Sequence, residues 1–282
     1  MKPCISQATT MPCSFAEDVE AYASAGWQAM EVWLTKLETH LETYSIADTR
    51  QLLEDKQIKL AAASYQGGLL LSQGEQRKAH YDHFRRRLDL CQHFGIGILI
   101  IVGDFGEAVD NTSLSRAAVS LEQAAQWAAG YSVQLALEFR NSSAFCSSLD
   151  TALALIAQCG EANVGVNFDV FHYYTGRSKF EDLALLAPQN LAFVQLCDLA
   201  GIPRELATDA DRILPGDGDF QLPPILDCFR RLGYTGYVSL EVMNPILWQT
   251  KASQLAELGL SALRRVLSAQ DKEIISKRGQ TP

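Results

Sequence analysis

Short runs that are apolar at nearly every position alternate along this chain with longer stretches whose apolar residues recur at helical spacing. The short runs fall at residues 4–9, 29–34, 58–65, 96–102, 133–138, 164–169, 191–197 and 237–241. Apolar character on both alternating positions predicts strands covered on both faces, as in a parallel sheet. The helical stretches cover 14–26, 46–56, 75–94, 113–129, 148–159, 180–187, 222–232 and 251–267. The first opens on Ser14 with Glu17 three residues on, the pattern of a reciprocal helix cap.

Eight strands, each followed by a helix, predict a single α/β domain, a (β/α)8 TIM barrel over residues 1–268. A doubly wound open sheet is the competing architecture. It announces itself by a glycine-rich phosphate loop after its first strand, and the segment after residues 4–9 has none. Nothing inside the chain reads as a linker. Residues 269–282 form a polar C-terminal tail ending Lys-Arg-Gly-Gln-Thr-Pro.

Composition narrows the function classes. With 48% hydrophobic residues, the 282-residue chain can bury enough surface to offset its conformational entropy, which argues against disorder. Twenty-four basic against 33 acidic residues, a net charge of −9, argue against a nucleic-acid or anionic-membrane partner. The longest apolar run, 96–102, is far short of the ~20 residues a membrane span needs. The N-terminus has no apolar export core, and the seven cysteines are scattered with no CxxC pair, so reduced, mostly buried thiols in the cytoplasm are expected.

Chemistry in a barrel sits where the strands end. Strand five ends Leu135-Ala136-Leu137-Glu138, strand six Val166-Asn167-Phe168-Asp169, strand seven Phe193-Val194-Gln195-Leu196-Cys197-Asp198, and strand eight Val238-Ser239-Leu240-Glu241. Any one of these acids alone would read as a helix cap or the partner of an arginine. Four successive strands delivering oxygen-bearing side chains to one mouth point instead to a shared divalent cation, which relieves the repulsion among the carboxylates. His172, three residues past Asp169, would be a proton carrier beside that ion. His80 and His83 share a helix face, but among Arg77, Lys78, Arg85, Arg86 and Arg87 they read as solvated. In the long segment after strand seven, Arg212 precedes a Pro-Gly turn, where gripping a substrate oxygen competes with pairing to Asp209 or Asp211. Tyr65, Gln66, Arg140 and Asp198 are further candidates for touching substrate, and Glu31 could line the pocket. Trp33 and Trp248 could form apolar walls, although core packing is the commoner use of an aromatic.

The chain resembles the xylose isomerase-like TIM barrels, the broad group of sugar isomerases, epimerases, inosose dehydratases and endonuclease IV. The likeness is carried by Leu137-Glu138, Gly165-Val166-Asn167-Phe168-Asp169-Val170-Phe171-His172, Leu214-Pro215-Gly216-Asp217-Gly218-Asp219-Phe220 and Ser239-Leu240-Glu241. It implies Glu138, Asp169 and Glu241 as metal ligands, with a histidine normally added from strand seven. Here that position is Gln195, so the implied set becomes four oxygens, which favours Mn²⁺ or Mg²⁺ over Zn²⁺ or Co²⁺. The glutamine, with Asp211-Arg212, looks most like bacterial 3-dehydroshikimate dehydratases. Some of these carry a histidine where this chain has Arg140. Endonuclease activity fits poorly, because its three-metal cluster needs many histidines.

The resemblance implies proton transfer beside a carbonyl of a small polar keto-hydroxy substrate, with Glu138 or Glu241 moving the proton and His172 assisting. Returning the proton gives a sugar-type isomerase or epimerase. Losing a β-hydroxyl gives a dehydratase of a cyclic 3-keto compound such as 3-dehydroshikimate or an inosose. An inactive sugar-binding barrel is a distant third reading. Barrels of this kind often associate, so a homo-oligomer is open, though no interface is legible.

Overall fold

The computed structural model describes residues 1–103, 105–106 and 109–268, and the expected tail at 269–282 lies outside the described residues. Eight parallel strands close into a barrel in chain order. They are β1 (Lys2–Ser6), β2 (Ala29–Trp33), β3 (Lys59–Gln66), β4 (Ile98–Val102), β5 (Gln134–Glu138), β6 (Val164–Asp169), β7 (Leu191–Leu196) and β8 (Tyr237–Leu240). β8 returns to β1 with Lys2 opposite Tyr237 and Ile5 opposite Leu240. The outer ring consists of α1 (Phe15–Ser24), α2 (Leu34–Leu41), α3 (Ile46–Asp55), α4 (Gly74–Phe94), α5 (Asn111–Gly130), α6 (Leu149–Cys159), α7 (Val170–Thr175), α8 (Leu222–Arg231) and α9 (Ala252–Ser268). The fold is the expected (β/α)8 barrel.

Local chemistry explains most boundaries. The reciprocal cap is present at α1, where the Ser14 hydroxyl accepts from the Glu17 amide and the Glu17 carboxylate accepts from the Ser14 amide. β1 stops earlier than the apolar run suggests, because the Ser6 hydroxyl accepts from the Ala8 amide and turns residues 7–10 into a 3₁₀ segment. Two helices were not expected. α2 leaves β2 without a loop, and α7 starts directly after β6, with the Asp169 carboxylate capping it through the Phe171 amide at 2.8 Å. The stretch expected as a helix over 180–187 is the 3₁₀ segment Phe180–Leu185.

Side chains on each strand alternate between two environments. Met30 and Val32, Leu135 and Leu137, Val166 and Phe168, Val194 and Leu196, Val238 and Leu240 pack outward into the main core beneath the helices. The intervening positions point into the barrel, where Cys4, Ala29, Ala62, Ile100, Ala136 and Phe193 form a second, smaller apolar cluster. Small residues predominate in that plug, and Phe193 fills its centre. At Gly165 a Cβ would stand 2.9 Å from the Ala192 Cβ, so only glycine lets β6 approach β7 there.

One step further along the same alternation the interior turns polar. Ser6 follows Cys4, Glu31 follows Ala29, Ser64 follows Ala62, Glu138 follows Ala136, Asn167 follows Gly165, and Gln195 follows Phe193; all six polar residues are buried. The barrel therefore has an apolar floor and a polar upper storey that opens at the strand ends. Among the described residues no helix is long and apolar enough to cross a membrane. All seven cysteines are free, and only Cys13 is partly exposed.

Candidate active site

At the carboxyl ends of the strands lies a cavity of about 230 Å³, lined among others by Trp33, Tyr65, Val102, Glu138, Arg140, His172, Gln195, Asp209, Arg212, Glu241 and Met243. Its size suits a small molecule, since pockets for drug-sized ligands run to roughly 300–1,000 Å³. Larger concavities on the surface, such as one of about 690 Å³ beside Phe15, Lys36, His40 and Tyr44, lack converging acids.

Three candidate ligand groups meet closely: one atom each from Glu138, Asp169 and His172 lie within 4.8 Å of one another, all buried. His172 Nε2 stands 3.3 Å from Glu138 Oε1 and 3.7 Å from Asp169 Oδ2, while its Nδ1 has no hydrogen-bond partner among the described residues. His172 thus reaches the acids directly, which the sequence left as an expectation. Glu241 sits on the other side of the mouth, where its Oε1 accepts from the Ser6 hydroxyl at 3.2 Å and from Gln195 Nε2 at 3.0 Å.

Arg212 resolves the choice posed by the sequence in favour of pairing, but with more partners than expected. It is 1% exposed and holds Asp169 in two-pronged fashion, Nη2 to Oδ2 at 2.6 Å and Nη1 to Oδ1 at 3.2 Å. It also donates to Asp209 at 2.7 and 3.0 Å, lies 3.4 Å from Glu241 Oε2, and packs 4.4 Å from the centre of the Phe171 ring. Its donors are spent on acids, so in this structure it is a fixed counter-charge and not a free grip for substrate. Burial alone would make Arg212 easier to deprotonate, but Asp169, Cys197, Asp209 and Glu241 outweigh it and push the group further up. Burial would likewise raise Asp209, yet Arg212 holds its carboxyl below the ordinary value.

Two other expected substrate contacts point elsewhere. Asp198 is fully buried and spends its carboxylate on the amides of Leu199, Gly216 and Phe220, each at 2.9 Å. Together with its backbone bridge to Ile213, it ties down the loop that carries Arg212. Gln66 donates to the Gly67 carbonyl at 2.6 Å and receives Arg87 Nη1 at 3.4 Å, outside the cavity lining. Tyr65, 41% exposed, and Arg140 do face the cavity. His80 and His83 stay outside it, bound to the Gly68 carbonyl and to Glu38.

The sequence reading passed over Asn167, and it named Glu31 only as a residue that could line the pocket. Asn167 Nδ2 joins Gln195 Oε1 at 2.5 Å to Glu138 Oε2 at 3.3 Å. Glu31 accepts from Gln195 Nε2 at 3.0 Å. The two-residue alternation that places Glu138 also places them, and that was the available signal.

Electrostatics reveals what the arrangement lacks. Among the described residues at the mouth, four buried carboxylates, Glu31, Glu138, Asp169 and Glu241, stand against one buried cation, Arg212, which Asp209 also claims, with the partly buried Arg140 on the cavity wall. Burial first, then the charge of Glu31, push Glu241 well above the carboxylate range. Burial lifts Glu31 to about 7; the Ser239 and Ser64 hydroxyls face it and ease the rise, though neither makes a full hydrogen bond. A buried site with more acids than cations and many oxygen donors fits a divalent cation.

A family model described as xylose isomerase-like TIM barrel matches residues 19–266. An inosose isomerase of Bacillus velezensis is 24% identical over 276 residues, covering 95% of this chain and 98% of the relative. A 3-dehydroshikimate dehydratase of Pseudomonas aeruginosa is 25% identical over 281 residues, and there the match spans 99% of this chain but only 43% of the relative. Among solved structures, the IolI protein with a bound zinc atom superposes with a TM-score of 0.90 at 22% identity, covering 95% of this chain and 99% of that one.

Proposed function

The chain belongs to the xylose isomerase-like TIM barrel family, its relatives are enzymes, and on that premise we propose a divalent-metal-dependent isomerase or epimerase. It moves a proton next to the carbonyl of a small sugar-like or polyol ketone. The observation that carries this reading is the meeting of Glu138, Asp169 and His172, all buried and within 4.8 Å of one another, beside a cavity of about 230 Å³ that Glu138, His172 and Glu241 line. Glu138, Asp169, Gln195 and Glu241 would hold the ion, Mn²⁺ or Mg²⁺ by the chemistry of an oxygen set. When bound, the metal polarises the carbonyl and stabilises the charge that develops on its oxygen.

The chain's own residues supply the rest. Glu241 is the better candidate for the base, because it lines the cavity and burial raises its proton affinity above that of an ordinary carboxylate. Glu138 is the alternative. His172, 3.3 Å from Glu138, carries a proton to or from a substrate oxygen. Arg212 steadies Asp169 and Glu241 without touching the substrate, while Arg140 and Tyr65 at the mouth bind its hydroxyl or acidic groups. Trp33, Val102 and Met243 narrow the cavity against water.

A second reading, a dehydratase of a cyclic 3-keto compound, begins with the same proton removal. Gln195 in place of histidine and the similarity to a 3-dehydroshikimate dehydratase favour it. The net charge of −9 supports a small-molecule substrate over nucleic acid, and the buried free thiols suit the cytoplasm. Incubation with Mn²⁺ and a panel of ketoses, inososes and 3-dehydroshikimate tests both. An isomer of unchanged mass is the expected product, while loss of one water with a new ultraviolet absorbance selects the dehydratase. No conversion of any compound, with no Mn²⁺ uptake by calorimetry, overturns both.

A further inference from the structure

Glutamine is an ambiguous side chain to place beside a cation, because one end of its amide is an acceptor and the other a donor. In this site the ambiguity is resolved from below. Both protons of Gln195 Nε2 are claimed by carboxylates, Glu31 Oε1 at 3.0 Å and Glu241 Oε1 at 3.0 Å. Gln195 Oε1 in turn accepts from Asn167 Nδ2 at 2.5 Å. Turning the amide over would set its oxygen against the accepting oxygens of Glu31 and Glu241 and its nitrogen against the Asn167 amino group, giving up all three of these hydrogen bonds.

Of the two acceptors, Glu241 faces the cavity, and in the reading above it turns to the ion. Glu31 is fully buried on β2, across the barrel interior from β7, and lies outside the cavity lining. It is the acceptor that stays in place. We infer that Glu31 is a positioning residue that holds the nitrogen of Gln195 toward the barrel interior and thereby leaves the amide oxygen as the end offered to the cation. This rests on the metal-centre reading of the site. A buried carboxylate orienting a ligand through its far end is a general way of tuning a metal site, and losing such a partner costs about 10–100-fold in affinity.

The test compares wild type with Glu31→Met, which keeps the volume but removes the acceptor, and Glu31→Gln, which can still present an oxygen. In metal-free protein, exchange of the Gln195 side-chain amide protons, assigned by their loss in Gln195→Leu, should quicken about tenfold in Glu31→Met and stay near wild type in Glu31→Gln. By calorimetry Mn²⁺ should bind about tenfold more weakly to Glu31→Met, and Glu31→Met/Gln195→Leu should bind no more weakly than Gln195→Leu alone. Unchanged proton exchange in Glu31→Met overturns the inference even where Mn²⁺ binds. Wild type that takes up no Mn²⁺ overturns the metal-centre reading instead, and the exchange measurement still decides whether Glu31 orients Gln195. Should Glu31→Met fail to fold, Glu31→Leu carries the same test, and unchanged exchange of the Gln195 amide protons there overturns the inference.

Discussion

Removing the guanidinium of Arg212 tests the electrostatic account of the site most directly. In Arg212→Met the chain loses the cation that holds both oxygens of Asp169, at 2.6 and 3.2 Å, and stands 3.4 Å from Glu241. Asp169 is fully buried and keeps the Phe171 amide at 2.8 Å, with His172 Nε2 at 3.7 Å. Breaking a buried ion pair from one side costs about 3–5 kcal/mol, because the remaining charge is desolvated without a partner. A domain has roughly 5–15 kcal/mol in total, so the loss is easily resolved by urea unfolding. The full effect belongs in the presence of chelator, where no ion can replace the lost cation. Added Mn²⁺ should return part of it, because a bound cation stabilises only the folded state. Asp209→Asn is the control, since the Asp209 side chain is 34% exposed and its pair with Arg212 is worth about 1 kcal/mol at most. A loss below about 1 kcal/mol in Arg212→Met, or equal losses in the two variants, refutes the claim that Arg212 is the site's buried counter-charge.

Other expectations follow from the same geometry. Glu241→Gln should lower kcat by about 10²–10⁴-fold while leaving the urea midpoint unchanged or higher, since it removes a carboxylate whose ionisation burial already resists; full activity, or an unfolded protein, contradicts its role. Gln195→His should retain metal and shift preference toward Zn²⁺ or Co²⁺ in competition titrations, and an unchanged order of metals counts against Gln195 as a ligand. Away from the site, burial lifts Asp18 from 3.8 to about 6, against Lys36 at 2.7 Å and Thr10 at 2.5 Å. A carboxyl raised on folding contributes stability that is complete below its unfolded value and lost as pH climbs through about 6. The stability of wild type minus that of Asp18→Asn should therefore fall by roughly 2.4 kcal/mol between about pH 4 and pH 7. A flat or rising difference means the carboxyl is not raised.

Much of the fold was legible because parallel strands buried on both faces must be apolar throughout, and the runs at 134–138, 164–169 and 237–241 stand out against their polar surroundings. The helices that escaped notice did so for physical reasons. Val170–Thr175 is a single aromatic turn buried over most of its length, so no polar face marks a period, and Leu34–Leu41 begins where a strand ends, with no turn residue between.

The barrel and the acids at its strand ends could be read from the chain alone, because strands buried on both faces must be apolar and the last residue of each run marks the rim. Which partner each side chain took depended on how the barrel closed. Asp198 bound loop amides, Arg212 gathered Asp169, Asp209 and Glu241, and Gln195 was fixed between Glu31 and Glu241. Those choices join residues as far as 164 positions apart, and they turn on distances of about 3 Å that the closing of the barrel sets and that no local pattern encodes.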